Sequence, residues 1–184
     1  MILGDKDIWK LIDAGKIYFF SDEEPLVNPA SLNVRLGNTF LIPKRRFFKG
    51  VRLGDEMQYK RYEIKDYQEF CLLPGQFALA TTKERFFVPP TMAAYVQGRS
   101  SIGRAGLTVQ NAGYVDPGFN GAITLELKNE TRNAIYLRPG YPVAQMIFEE
   151  CTPVEHPYKG KYNGQIEATG SRMQQDKEAS LSQK

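Results

Sequence analysis

Apolar and polar residues alternate over short runs along most of this chain, a period of two that predicts strands rather than helices. The runs fall at residues 31–36, 39–42, 63–64, 70–73, 77–81, 85–88, 93–97, 107–110, 122–128, 134–137 and 143–149. Glycine and proline punctuate them, with turns expected at Leu73-Pro74-Gly75-Gln76 and Arg138-Pro139-Gly140. Helical spacing occurs near the N-terminus, where Ile8, Leu11 and Ile12 follow Asp5 as candidate N-cap and precede Gly15 as a stop. A second, shorter helical turn is expected over residues 100–106. The pattern predicts a mostly β fold with few helices. So many short strands leave exposed edges, which closure into a barrel or pairing with neighbours removes.

A length of 184 residues suits one domain. The expected ordered unit is 1–165. From about residue 152 Pro153, Pro157, Gly160 and Gly164 interrupt it, and 166–184 reads as a flexible polar tail.

Two segments carry candidate chemistry. Residues 122–127 alternate so that Glu126 shares a face with Thr124 and Ala122, opposite Ile123, Leu125 and Leu127. Such a carboxylate is either a solvent-facing strand residue or a buried acid whose raised pKa suits proton shuttling. Upstream, GRSSIGR places Ser100 and Ser101 as caps of a helical turn between Arg99 and Arg104. Free N–H groups with two guanidinium forks suit a polyphosphate, although an ordinary capped surface helix has the same signature. Asp116 stands in an Asp-Pro-Gly turn.

Charge and composition narrow the classes. A net charge of +3 is too small and dispersed for a nucleic-acid protein, and Lys44-Arg45-Arg46 reads as a loop after Pro43. No apolar stretch is long enough to span a membrane, and Asp5, Lys6 and Asp7 interrupt any leader, so a cytoplasmic protein is expected. Cys71 and Cys151 are expected as buried free thiols. With His156 as the single histidine and no C-x-x-C pair, the zinc-deaminase signature is missing. No zinc and no protein-held metal is expected.

Six ordered segments together resemble one family: MILGDKDIWKLI, SLNVRLGN, GRSSIGR, DPGFNGAITLELKN, PGYPVAQMIF and HPYKGKYNGQ. In this order they resemble the dCTP deaminases of the trimeric dUTPase superfamily, from end to end. The hairpin AGYVDPG is similar to the bifunctional branch, which deaminates dCTP and then cleaves dUTP to dUMP. The deaminase-only branch has a bulkier, basic pair where this chain has Gly113 and Tyr114.

The resemblance implies a distorted β-barrel, or jelly roll, assembled as a homotrimer with sites between subunits. It implies Glu126 as the catalytic acid–base, with Ser100, Arg104 and the backbone carbonyl of Ala112 orienting the water. It implies that Arg99, Ser100, Ser101, Ile102, Gly103 and Arg104 bind phosphates. Asp116 would bind the sugar 3′-hydroxyl and help activate the second water, while Thr124, Leu125 and Glu126 line the base pocket. Gln145, Tyr158, Lys161 and Gln165 match positions used against phosphates and base, the last three on a lid that folds over nucleotide. Mg²⁺ would arrive on the triphosphate, and dTTP would act as feedback inhibitor. Asn33 stands where the family usually carries Asp, and Glu167 where relatives are less acidic. A deaminase-only enzyme releasing dUTP, a plain dUTPase and a non-catalytic nucleotide-binding module are the other readings. Intact Ser100, Arg104, Asp116 and Glu126 argue against the last, and the missing terminal glycine-rich phosphate motif against the plain dUTPase.

Overall fold

A computed structural model describes residues 1–15, 17–19, 23–44, 50–65, 67–110 and 113–176. The chain runs through α1 (Asp5–Asp13), β1 (Tyr18–Phe19), β2 (Leu26–Asn28), β3 (Ser31–Pro43), β4 (Tyr59–Glu63), β5 (Phe70–Leu72), β6 (Phe77–Phe87) and β7 (Met92–Gly98). It continues with α2 (Ser100–Arg104), β8 (Leu107–Gln110), β9 (Tyr114–Val115), β10 (Asn120–Asn129), β11 (Ile135–Leu137), β12 (Pro142–Glu150) and a 3₁₀ turn at Met173–Gln175. The main sheet has the order β8-β10-β6-β3-β12-β7-β9, with β1 on β6 and both β2 and β4 on β3; β11 and β5 form a separate pair. All pairings are antiparallel. The mostly β expectation holds.

The long strand β3 makes the sheet curl. Its first half pairs with β2 and β12 through Leu32, Asn33 and Val34. Its second half pairs with β4 and β6, as in Phe40 opposite Tyr62 and Ala80. The register shifts between Leu36 and Phe40. Gly37 sits at that shift, where a Cβ would meet Thr81 Cγ2 at 2.5 Å, so only glycine lets the two strands approach. The apolar faces of both halves turn inward: Leu32, Val34, Phe40, Ala80, Leu125, Leu127, Met146 and Phe148 are fully buried. Phe40 stacks on Phe70 at 4.3 Å between ring centroids.

Several sequence expectations shift. Gly4, not Asp5, is the N-cap of α1. Leu3 N–H donates to Phe148 O and Asp5 N–H to Pro29 O, so the chain stays extended until Gly4. Asp5 is then a first-turn acid, which still favours the helix start. Gly15 ends the helix as expected, with φ of +60° and its N–H on Ile12 O. Residues 31–36 and 39–42 are one strand, as are 77–81 and 85–88. The second merger works because β6 bulges rather than breaks. Between the pairs Thr124–Thr81 and Ala122–Arg85, the Thr82 hydroxyl accepts the Ile123 N–H at 2.9 Å. Cys71 is exposed and Cys151 half-buried, contrary to the expected burial, because Cys71 faces outward between the buried Phe70 and Leu72. Arg45 and Arg46 lie outside the described residues.

Packing also continues past Gln165, where the flexible tail was placed. Ala168 is buried with Leu41 and Leu79, against Tyr59. The backbone N–H groups of Thr169 and Ser171 donate to the hydroxyls of Thr124 and Tyr59. No helix among the described residues is long and apolar enough to cross a membrane.

Candidate active site

The alternation expected on β10 holds from Thr124 onward; at the bulge before it Ala122 is buried and Ile123, expected on the core face, lines the cleft instead. Leu125 and Leu127 enter the core, while Thr124 and Glu126 are half-buried on the opposite face. Glu126 lies in register between Leu79 of β6 and Gln110 of β8. Its carboxylate has no hydrogen bond or ion pair among the described residues, and burial alone pushes its pKa above the ordinary range.

Glu126 opens into a cleft of about 410 Å³. Gly113, Tyr114 and Asp116 of the hairpin, Thr124, Tyr158 and Gln165 join it there, so seven of the sequence-derived residues share one cavity. Asp116 and Tyr114 are exposed at the hairpin. The Tyr114 phenol is held above its usual value by partial burial and then by Asp116, and its ring meets Tyr95 edge-on at 5.4 Å. Gly113 adopts φ of +66°, and its carbonyl accepts the Val96 N–H at 2.8 Å. Gln165 is stitched to β10: its Nε2 donates to Ala122 O at 2.7 Å and its carbonyl accepts the Ala122 N–H at 2.8 Å. Gly121 makes room for this, since a Cβ would lie 2.7 Å from Gln165 O.

The remaining candidates lie elsewhere on the chain. Helix α2 carries no side-chain cap; Arg99 is its N-cap, and Ser100 and Ser101 are its exposed first residues. They do not act as caps because Arg99 already leaves the strand in extended conformation, and its guanidinium donates to Pro142 O at 2.7 Å. Ile102 packs on the core and anchors the turn, so its side chain is no ligand group. Leu125 is likewise withdrawn from the cleft into the core. Arg99, Ser100, Ser101, Ile102, Gly103, Arg104, Gln145 and Lys161 are absent from the cleft lining. Ala112 lies outside the described residues.

Gln145 belongs to a polar cluster on β2, β3 and β12. It stands opposite Asn33 and Gln97, and accepts weakly from the Ser31 hydroxyl at 3.5 Å. Asn33 Nδ2 donates to Asn28 Oδ1 at 3.4 Å, while Asn33 Oδ1 is buried without a partner among the described residues. Lys161 pairs with Asp176 and lies over the Tyr162 ring. Tyr59, Phe77, Phe119 and Tyr162 also line the cleft, with Leu79, Val96, Val115, Ile123, Thr169, Gly170 and Ser171. Of these, Tyr162 falls within HPYKGKYNGQ and Phe119 and Ile123 within DPGFNGAITLELKN, segments that carry the family resemblance; the others left no local signal. No group of three or more His, Cys, Asp or Glu residues able to hold a metal occurs among the described residues.

Comparisons with known proteins identify the family. The dCTP deaminase-like family model matches residues 2–151. The chain belongs to that family. It is 40% identical to the dUMP-forming dCTP deaminase of Persephonella marina, over 97% of this chain and 100% of that one. It is also 40% identical to the dCTP deaminase of Natronomonas pharaonis, over 97% of each. Overall identity therefore does not separate the two branches. The crystal structure of the 2′-deoxycytidine 5′-triphosphate deaminase from Agrobacterium tumefaciens shares the fold, with a TM-score of 0.65 at 23% identity over 81% of this chain. This chain spans about half of that longer one, 47%.

Proposed function

We propose that this chain hydrolyses dCTP to dUTP and ammonia, then dUTP to dUMP and pyrophosphate. The observation that carries the reading is Glu126, a half-buried carboxylate that meets no cation among the described residues, at the wall of a nucleotide-sized cleft. Raised in pKa, it takes a proton from water as the C4–O bond forms. It passes that proton to the ring nitrogen, then takes the proton of the new C4 hydroxyl and delivers it to the departing amine as the C4–N bond breaks. Ser100, Arg104 and the Ala112 carbonyl orient that water in this reading. Asp116 takes the sugar hydroxyl and, with Gln145, assists the second water.

The cleft lining holds two carboxylates, Glu126 and Asp116, and no Lys or Arg. A triphosphate there needs positive charge from elsewhere. Residues 99–104 supply guanidinium groups and N–H donors on another part of the surface, which supports a homotrimer with the site shared between subunits. Mg²⁺ would arrive as a passenger of the triphosphate, held by phosphate oxygens and water rather than by a protein cage. Bound, it would neutralise phosphate charge. The resemblance adds dTTP as an inhibitor competing at the same cleft and a cytoplasmic setting.

The second reading, deamination alone with release of dUTP, has the Natronomonas pharaonis relative in its favour. Incubation with dCTP and Mg²⁺, resolving dCTP, dUTP and dUMP over time, separates the two. The proposal expects dUMP with little dUTP; stoichiometric dUTP supports the second reading, and unchanged dCTP contradicts both.

A further inference from the structure

One wall of the cleft comes from β4, a strand with no part in the chemistry above. Tyr59, its first residue, lines the cleft, and its hydroxyl accepts the Ser171 N–H at 3.1 Å. The ring lies against Gly170. A Cβ on Gly170 would meet ring atoms Cε2 and Cδ2 at 2.5 and 2.8 Å, closer than side chains tolerate. Two residues along β4, on the same face, Arg61 pairs with Glu167 at 2.7 Å. Between them Ala168 is buried against Leu41 and Leu79. From the other side, the Thr169 N–H donates to Thr124 Oγ1 on β10 at 3.2 Å, and the Arg172 N–H to the Tyr162 hydroxyl at 3.1 Å. Residues 167–172 therefore bridge the cleft from β10 to β4.

We propose that Tyr59 is a positioning residue for the nucleotide: it docks residues 167–172 across the cleft, and the glycine at 170 exists to receive its ring. The inference rests on the functional reading above and adds the docking partner of the chain's closing segment. Tyr59 acts through Gly170 and Ser171, which narrow the cleft and exclude water from it. Glu167, unusually acidic for its place, has its partner in Arg61.

The test is a double-mutant cycle on the full chain. Gly170→Ala should raise KM for dCTP roughly ten-fold or more, Tyr59→Phe roughly three- to ten-fold, the scale of one hydrogen bond. In a Tyr59→Ala background the added methyl of Gly170→Ala should cost nothing further, because its obstacle is gone. Arg61→Glu should weaken binding, and Arg61→Glu combined with Glu167→Arg should restore it. Trypsin cleavage after Arg172 should accelerate in each docking variant at unchanged Tm, a readout independent of activity. Additive effects of Gly170→Ala and Tyr59→Ala, or wild-type KM and wild-type proteolysis in both single variants, would overturn the proposal. A wild-type chain inert toward dCTP and dUTP would instead remove the functional reading, leaving proteolysis to decide the docking.

Discussion

Glu84 and Glu126 occupy neighbouring strands, and burial pushes both carboxyls above the ordinary range. Their surroundings separate them. Glu84 is fully buried and met by Arg35, whose backbone N–H donates at 2.8 Å and whose guanidinium donates at 3.0 Å. Arg35 also pairs with Glu23, and Glu23 with Lys83, so the network is closed by charge. These partners work against the rise that burial imposes on Glu84. Glu126 has no such partner among the described residues and faces open space. Desolvation alone is thus a poor sign of function. Desolvation without a cation, beside a cavity, is a good one.

The largest expected effect breaks the chemical side of this comparison. Glu126→Gln keeps shape and loses the proton-accepting charge, so deamination should fall by about 10²- to 10⁴-fold while dCTP still binds. Ammonia release and equilibrium binding measured together check it; a near wild-type rate removes Glu126 from its role. The structural side breaks through Arg35→Met, which leaves Glu84 buried and unpaired. Stability should drop by about 3–5 kcal/mol in denaturant unfolding, with activity per folded molecule retained. An unchanged midpoint would mean that Glu84 is no structural anchor.

A smaller effect joins activity to stability. Because burial holds the folded pKa of Glu126 above that of an unfolded glutamate, its contribution to stability is fully present below the unfolded pKa. The contribution is lost as pH rises through the folded pKa. Glu126→Gln should therefore be more stable than wild type at neutral pH, with the gap closing in acid. Melting curves across pH test this, and a variant less stable at neutral pH contradicts it.

The smallest effect concerns the hairpin. Gly113 adopts a left-handed φ, so a bulky residue there adds strain as well as size. Gly113→Asn, which tolerates that conformation, and Tyr114→Arg separate the two causes. At unchanged Tm, pyrophosphate release should fall a few-fold more than ammonia release; equal loss of both would detach this hairpin from the second step.

Glu126 was legible because β10 alternates between core and cleft from Thr124 to Leu127, past its bulge. Glu84 was not, since the bulge at residues 82–84 reads as a break between two strands. The local sequence shows no hydroxyl replacing a backbone bond, as Thr82 does for Ile123. Tyr59 was invisible for another reason: it meets Gly170 and Ser171 more than a hundred positions away, a pairing that no periodicity encodes. The arginine turn was readable as a motif. Its separation from the cleft within one chain follows from three-dimensional placement, which spacing does not give.

The central claim, that Glu126 is a half-buried acid without a charge partner among the described residues and poised as a base, is tested most directly by titrating its carboxyl. An infrared difference titration between wild type and Glu126→Gln isolates that one group. A midpoint above 4.5 that coincides with the acid limb of deamination is the expected result, since a base must lose its proton to act. A midpoint at or below 4.5, or an acid limb that does not follow it, would contradict the account.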